Sequence, residues 1–275
     1  MREPSTGQLL LLGVSIALFV IGGALSLARL RVQRGWMRQG ARLCLLLGLL
    51  AAAATLVWHS LSRGSWLPIE DNFDAFIWLA ILLTVFVIYV GRVRPLPGLD
   101  WFIMPAVVLL LIFAGLFGKG RPHEYVESTW HWSHRVSAYG GAVAFAVAAA
   151  VGAMYLIVNR RLRSKNASPG PDLGSLERLE HLTRASVTLG FALLTIGLVT
   201  GLVRALHRST TLGTHWFTSP KVILACAVWI VYALVLHAPI NPSFRGRKAA
   251  ILSIVGFLLM LGSMVAAQFM KEGTN

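Results

Sequence analysis

The sequence predicts an all-α fold, a polytopic transmembrane helical bundle of about eight helices. Three observations carry that prediction. Of 275 residues, 56% are hydrophobic and only 13% charged, with a mean hydropathy of +0.69, a balance foreign to a water-soluble domain. Apolar runs of about 20 residues, the length a helix needs to cross a bilayer, recur along the whole chain. Lipid offers no partner to backbone N–H and C=O groups, so runs of this kind close their hydrogen bonds internally, as helices.

The elements follow in order. The first span covers 8–28, and its long apolar stretch behind Arg2 and Glu3 reads as a retained helix rather than a cleaved leader. The second, 41–61, ends on Trp58 and His59; the third and fourth occupy 73–91 and 101–118. The fifth, 131–158, opens on a cluster of tryptophan and histidine. A polar connection, 159–184, carries a basic run, then Pro169-Gly170-Pro171, then a helical stretch from Leu173 to Leu182. The sixth, seventh and eighth spans lie at 185–204, 220–238 and 250–270. No internal repeat and no soluble domain interrupts them, so 1–275 reads as a single integral membrane domain.

A formal charge of +14 would point to nucleic acid in a soluble protein, but here the bases alternate with the spans. Sixteen of the 25 basic residues fall in alternate loops: between spans one and two (Arg29 to Arg42), at Arg92 and Arg94, from Arg160 to Arg184, and from Arg245 to Lys248. Seven of the eleven acids lie on the other side. The positive-inside rule then places both termini outside, and the charge is a topology signal that leaves no reason to invoke nucleic acid. Cys44 and Cys226 sit singly within apolar spans, and the absence of Cys-x-x-Cys-His excludes covalently attached haem of the c type.

Ionisable residues at span ends usually line a cavity, pair or bind a ligand. His59, His134 and His215 fall near the outer face by this topology, and His237 near the inner. Two imidazoles from different helices at one depth can hold a haem iron; equally, each can be an interfacial residue that reaches water. Trp130 and Trp216 can stack on a porphyrin or anchor among headgroups. His131 and His134 share a helix face, which also permits a metal site. Arg135, Arg204 and Lys221 are at the depth where haem propionates would need cations, or they snorkel as flanking charges.

From Ser128 onward, over 128–270, the chain resembles the cytochrome c assembly protein family, in particular its CcsA, HemX and YpjD-like members. The carrying segments are STWHWSHRVSAYGGAVAFAVAAAVGAMYLIVNRRLR, LGSLERLEHLTRASVTLGFALLTIGLVTGL, HWFTSPKVILACAVWIVYALVLH and FRGRKAAILSIVGFLLMLGS. The resemblance implies that His134, four residues after Trp130, is an outer haem-iron ligand, and that His237, closing WIVYALVLH, is a histidine associated with haem inside the membrane. His59, in WHSLSRGSWLP, is similar to a histidine placed ahead of a proline-containing outer loop. The family's tryptophan-rich outer signature ends in Trp-Asp-Pro-Lys-Glu; here Trp216-Phe217-Thr218-Ser219-Pro220-Lys221-Val222 keeps the tryptophan, proline and lysine without the two acids. A late outer histidine is also absent, so a haem on His134 would take its second ligand from His59 or His215.

The reading that follows is a membrane protein of cytochrome c biogenesis in the bacterial cytoplasmic (inner) membrane. It would bind, hold or present haem b at the extracytoplasmic face, with His134 and His237 as iron ligands and Trp216 and its loop as a stacking or docking surface. Other assembly proteins and an apocytochrome c would be its partners, with no turnover chemistry of its own. The alternative is a HemX-like regulatory or scaffold membrane protein without stably bound haem.

Overall fold

The computed structural model describes residues 4–31, 35–64, 71–93, 95–118, 129–164, 173–207, 220–237 and 246–269. Among them the chain is all helical: α1 (Thr6–Arg31), α2 (Gly35–Arg63), α3 (Asn72–Val93), α4 (Leu99–Phe117), α5 (Thr129–Arg163), α6 (Leu176–His207), α7 (Pro220–Leu236) and α8 (Arg247–Phe269). Seven of these are long and apolar enough to cross a membrane. The exception is α7, whose 17 residues span about 26 Å, somewhat under the roughly 30 Å of a hydrocarbon core.

The helices fall into two compact units, α1–α4 with residues 173 and 174, and α5–α8. Both close in the same cyclic order. In the first, α1 packs on α2 and α4, and α3 on α4 and α2; in the second, α5 packs on α6 and α8, and α7 on α8 and α6.

Small residues set how closely the helices approach, as membrane helices require where burial of apolar surface offers no drive against lipid. In the first unit Gly48 faces the ring of Phe19, where a Cβ would come within 3.1 Å, and the buried Ser15 hydroxyl donates to the Gly48 carbonyl at 2.9 Å. In the second, α5 presents a buried run of alanines from Ala142 to Ala150 around Phe145. Phe145 stacks on Tyr232 with centroids 3.5 Å apart and planes 8° from parallel. Gly190 and Gly256 leave room for that pair, since a Cβ would lie 2.6 Å from the Phe145 ring and 2.8 Å from Tyr232. The Tyr232 hydroxyl donates to the Ser253 carbonyl at 3.1 Å, so its polar end is satisfied in the core.

The helix ends differ from the apolar runs in one informative place. The sixth run begins at 185, but α6 begins at Leu176, where the Ser175 hydroxyl accepts from the Arg178 amide at 3.3 Å. Hydropathy marks the thickness of the bilayer, whereas the helix continues beyond it on an amphipathic turn that buries Leu179 fully.

Candidate functional site

His134 stands in the second turn of α5, half-buried against α6. Its Nδ1–H donates to the Gly197 carbonyl at 2.8 Å, a bond whose direction is set because that oxygen can only accept. The α6 face that receives the ring is built from Gly197 and Gly201, one turn apart. A Cβ on Gly201 would lie 3.1 Å from His134 Cε1 and 3.3 Å from Nδ1, and one on Gly197 would lie 3.3 Å from the Ser137 hydroxyl. Ser137 is itself tied to its own helix, donating to the carbonyls of Ser133 (2.6 Å) and His134 (3.1 Å). With the hydrogen on Nδ1, the lone pair of the neutral imidazole is on Nε2, the form in which a histidine ligates iron, with its other nitrogen bonded to a backbone carbonyl.

His237 follows the last turn of α7 and is exposed; its Nδ1–H donates to Ala233 of the same helix at 2.7 Å, which sets the same tautomer. The neighbouring aromatics of that segment hold α7 in place: Trp229 donates its indole N–H to the Thr195 hydroxyl at 3.1 Å and packs on Phe191. His134 and His237 do not meet. Val235 and Leu236, beside His237, line a small cavity with Tyr155, and Tyr155 is 21 residues along α5 from His134, about 30 Å of helix. One iron cannot bind both.

His59 is buried in the first unit, and both of its ring nitrogens are engaged. Nδ1 lies 3.2 Å from Gln8 Oε1 and Nε2 lies 3.0 Å from Asp71 Oδ2, with Phe73 tilted over the ring at 4.7 Å. The Gln8 amide is oriented by a reciprocal cap on α1: the Ser5 amide donates to Gln8 Oε1 (2.9 Å), the Gln8 amide to the Ser5 hydroxyl (3.3 Å), and Gln8 Nε2 to Ser62 (3.2 Å). Both His59 nitrogens are therefore already engaged by neighbouring side-chain oxygens. Iron ligation by His59 would require this network to open.

Arg63, one turn after His59, bridges two carboxylates, donating to Asp71 and to Asp74 at 2.5 Å each. Asp71 also caps α3 by accepting from the Asp74 amide at 2.9 Å. Burial raises the Asp71 carboxyl, but the His59 and Asp74 hydrogen bonds, with the charges of Arg63 and His59, outweigh it and hold the group below its ordinary value of 3.8. Among the described residues, His59, Asp71 and Asp74 form the one cluster close enough for a metal ion, their ligand atoms lying within 4.8 Å of one another. The Arg63 guanidinium already supplies the cation there.

Trp130 is exposed at the start of α5. His215 and Trp216, with the side chains of His131, Arg204 and Lys221, lie outside the described residues. Sequence reasoning missed the Gly197–Gly201 cradle and the Gln8–His59–Asp71–Arg63–Asp74 network, although Ser5-x-x-Gln8 and Asp71-x-x-Asp74 are readable helix-start signals.

The family described as Cytochrome C assembly protein matches residues 42–274. The chain belongs to that family. It is therefore an integral membrane protein of the cytochrome c assembly class, all-α in fold. Among curated relatives, the cytochrome c biogenesis protein CcsA of Synechococcus sp. (strain CC9902) is 26% identical over 255 residues, 82% of each chain. CcsA of Prochlorococcus marinus (strain NATL2A) is 33% identical over 120 residues, 44% of this chain but 37% of that one. Another, from Pyropia yezoensis, is 36% identical over 100 residues, 30% of its length. The stronger local matches thus span only about a third of those relatives. The solved structure of Cytochrome c Heme Lyase CcmF shares the fold, with a TM-score of 0.65 at 18% identity, covering 99% of this chain and 49% of that one. One expectation is corrected by it: a protein without turnover chemistry was anticipated, yet this same helical arrangement serves in a protein named as a lyase, an enzyme. The fold gives no ground for excluding catalysis.

Proposed function

We propose that the chain handles haem during cytochrome c biogenesis, with His134 as an iron ligand through Nε2. The observation that carries this reading is the Nδ1–H bond from His134 to the Gly197 carbonyl, seated in a glycine face of α6. It fits the group, because ligating histidines as a rule donate their other ring N–H to a carbonyl or carboxylate. With no Cys-x-x-Cys-His in the chain, the haem would be held non-covalently, as haem b. When bound, haem would supply the iron and vinyl groups that cytochrome c assembly requires; the residues here hold and orient it. His215, eight residues beyond the end of α6 in sequence, would be the second histidine to hold the haem, with the adjacent Trp216 available to stack on the porphyrin. His237, at the far end of the same unit, serves a separate position. The positive-inside pattern supports an orientation with both termini and the His134 end on the extracytoplasmic face of the cytoplasmic membrane, where an apocytochrome c and other assembly proteins would be met.

The test is the optical spectrum of the protein purified in mild detergent after expression with ample haem. A Soret band and a b-type pyridine haemochrome are expected in the wild type and in His237→Ala, and a weakened band in His134→Ala and His134→Gly, with recovery of His134→Gly by added imidazole. A haem-free wild type, or a His134→Ala spectrum identical to wild type, refutes the assignment.

A further inference from the structure

Arginines that flank membrane spans ordinarily snorkel singly to the interface. In the first unit four of them instead gather round one cavity of about 640 Å³, a volume within the roughly 300–1,000 Å³ typical of small-molecule sites. Arg29 comes from the end of α1, Arg38 and Arg42 from the start of α2, and Arg92 from the end of α3. Only Arg29 has an acidic partner among the described residues: its Nη2 donates to Asp100 Oδ2 at 2.6 Å, and the Ser26 hydroxyl donates to the same oxygen at 2.7 Å. Arg38, Arg42 and Arg92 have none, so the rim carries three uncompensated positive charges. The cavity continues onto apolar side chains, among them Leu45, Val87 and Leu99, each buried. Cationic rim and apolar wall together select an amphipathic anion.

We propose that this cavity is a binding site for the headgroup of an anionic phospholipid, its phosphate engaged by Arg38, Arg42 and Arg92 and the first carbons of its chains lying on the apolar wall. A bidentate guanidinium suits a phosphate diester, and the ligand is present wherever a protein is embedded in an anionic membrane. The Arg29–Asp100 pair also lines the cavity and holds α1 to α4, its carboxylate occupied by the Arg29 guanidinium and the Ser26 hydroxyl. The proposal is independent of haem binding, since it concerns the first unit alone.

The experiment is native mass spectrometry of the full chain released from mixed micelles of phosphatidylglycerol and phosphatidylcholine, with Arg38→Gln/Arg42→Gln/Arg92→Gln as the variant. Arg160→Gln/Arg178→Gln, exposed and outside the cavity, is the control. Each basic group near an anionic surface contributes about a fivefold preference, so three, partly screened, are expected to give phosphatidylglycerol at least about a tenfold advantage. The triple variant should fall to parity and the control should keep the preference. Unchanged melting of the triple variant in phosphatidylcholine alone would show that it folds. Equal retention of both lipids by the wild type, or an undiminished preference in the triple variant, overturns the proposal. So does displacement of the lipid by millimolar inorganic phosphate, which would make free phosphate the ligand, or by haemin, which would make the cavity a haem site.

Discussion

Arg63→Met tests the claim that the end of the first unit is held by a buried ion network. The guanidinium touches both Asp71 and Asp74, whose side chains are 8% and 0% exposed. Methionine fills much of the same volume and removes both bonds, leaving the Asp71 and Asp74 carboxylates buried without the guanidinium that bridged them. Breaking a buried pair by deleting one partner costs about 3–5 kcal/mol, most of it the penalty of a charge left without compensation. The exposed pair of Arg184 with Glu180, at 49% and 31% exposure, is the contrast: Arg184→Met should cost under about 0.5 kcal/mol. Because the penalty comes from the stranded carboxylate, Arg63→Met/Asp74→Asn should be more stable than Arg63→Met alone, with a coupling of about 2 kcal/mol or more in the double-mutant cycle. The assay is reversible unfolding in mixed micelles with increasing sodium dodecyl sulfate, followed by tryptophan fluorescence and circular dichroism. A cost below about 1 kcal/mol for Arg63→Met, or strictly additive single and double variants, would refute the network as described.

Two further predictions follow from the same geometry. Gly201→Ala should shift His134 by a few tenths of an ångström and weaken any haem spectrum modestly, whereas Gly201→Leu should expel the ring from its seat and abolish it while α5–α8 still melt cooperatively; a wild-type Soret band in Gly201→Leu would refute the glycine cradle. The Asp71 carboxyl lies below its ordinary value of 3.8 in the folded chain, so the stability it contributes is complete above that value and is lost as pH falls through the folded value. Melting measured between pH 3 and 7 should therefore drop steeply below about pH 4 in the wild type and less steeply in Asp71→Asn; matching slopes would remove Asp71 as the cause.

The eight helices were legible because the bilayer imposes one solution on a long apolar run, and that constraint acts on each run separately. The site was legible in part. His134 could be picked out by residue type and by its place at a span end, but its tautomer rests on Gly197, 63 residues away, and on the absence of a side chain at Gly201. Neither fact has a local signal; Gly197-x-x-x-Gly201 reads equally well as a helix-packing stripe. His59 shows the opposite case. It was grouped with the other outer histidines, but its surroundings were open to a stricter reading of its neighbours. His59 and Arg63 are one turn apart at the end of α2, and Asp71 and Asp74 one turn apart at the start of α3, so two basic and two acidic groups stand at adjoining ends of consecutive helices. Near lipid, charges of this kind pair. A span-end histidine followed one turn later by arginine, and then by two carboxylates at helix-start spacing, is thus better read as part of an ion network. His134 has no acid within a turn on its own helix, and its Nδ1–H is taken by a backbone carbonyl, the kind of partner a ligating histidine usually has.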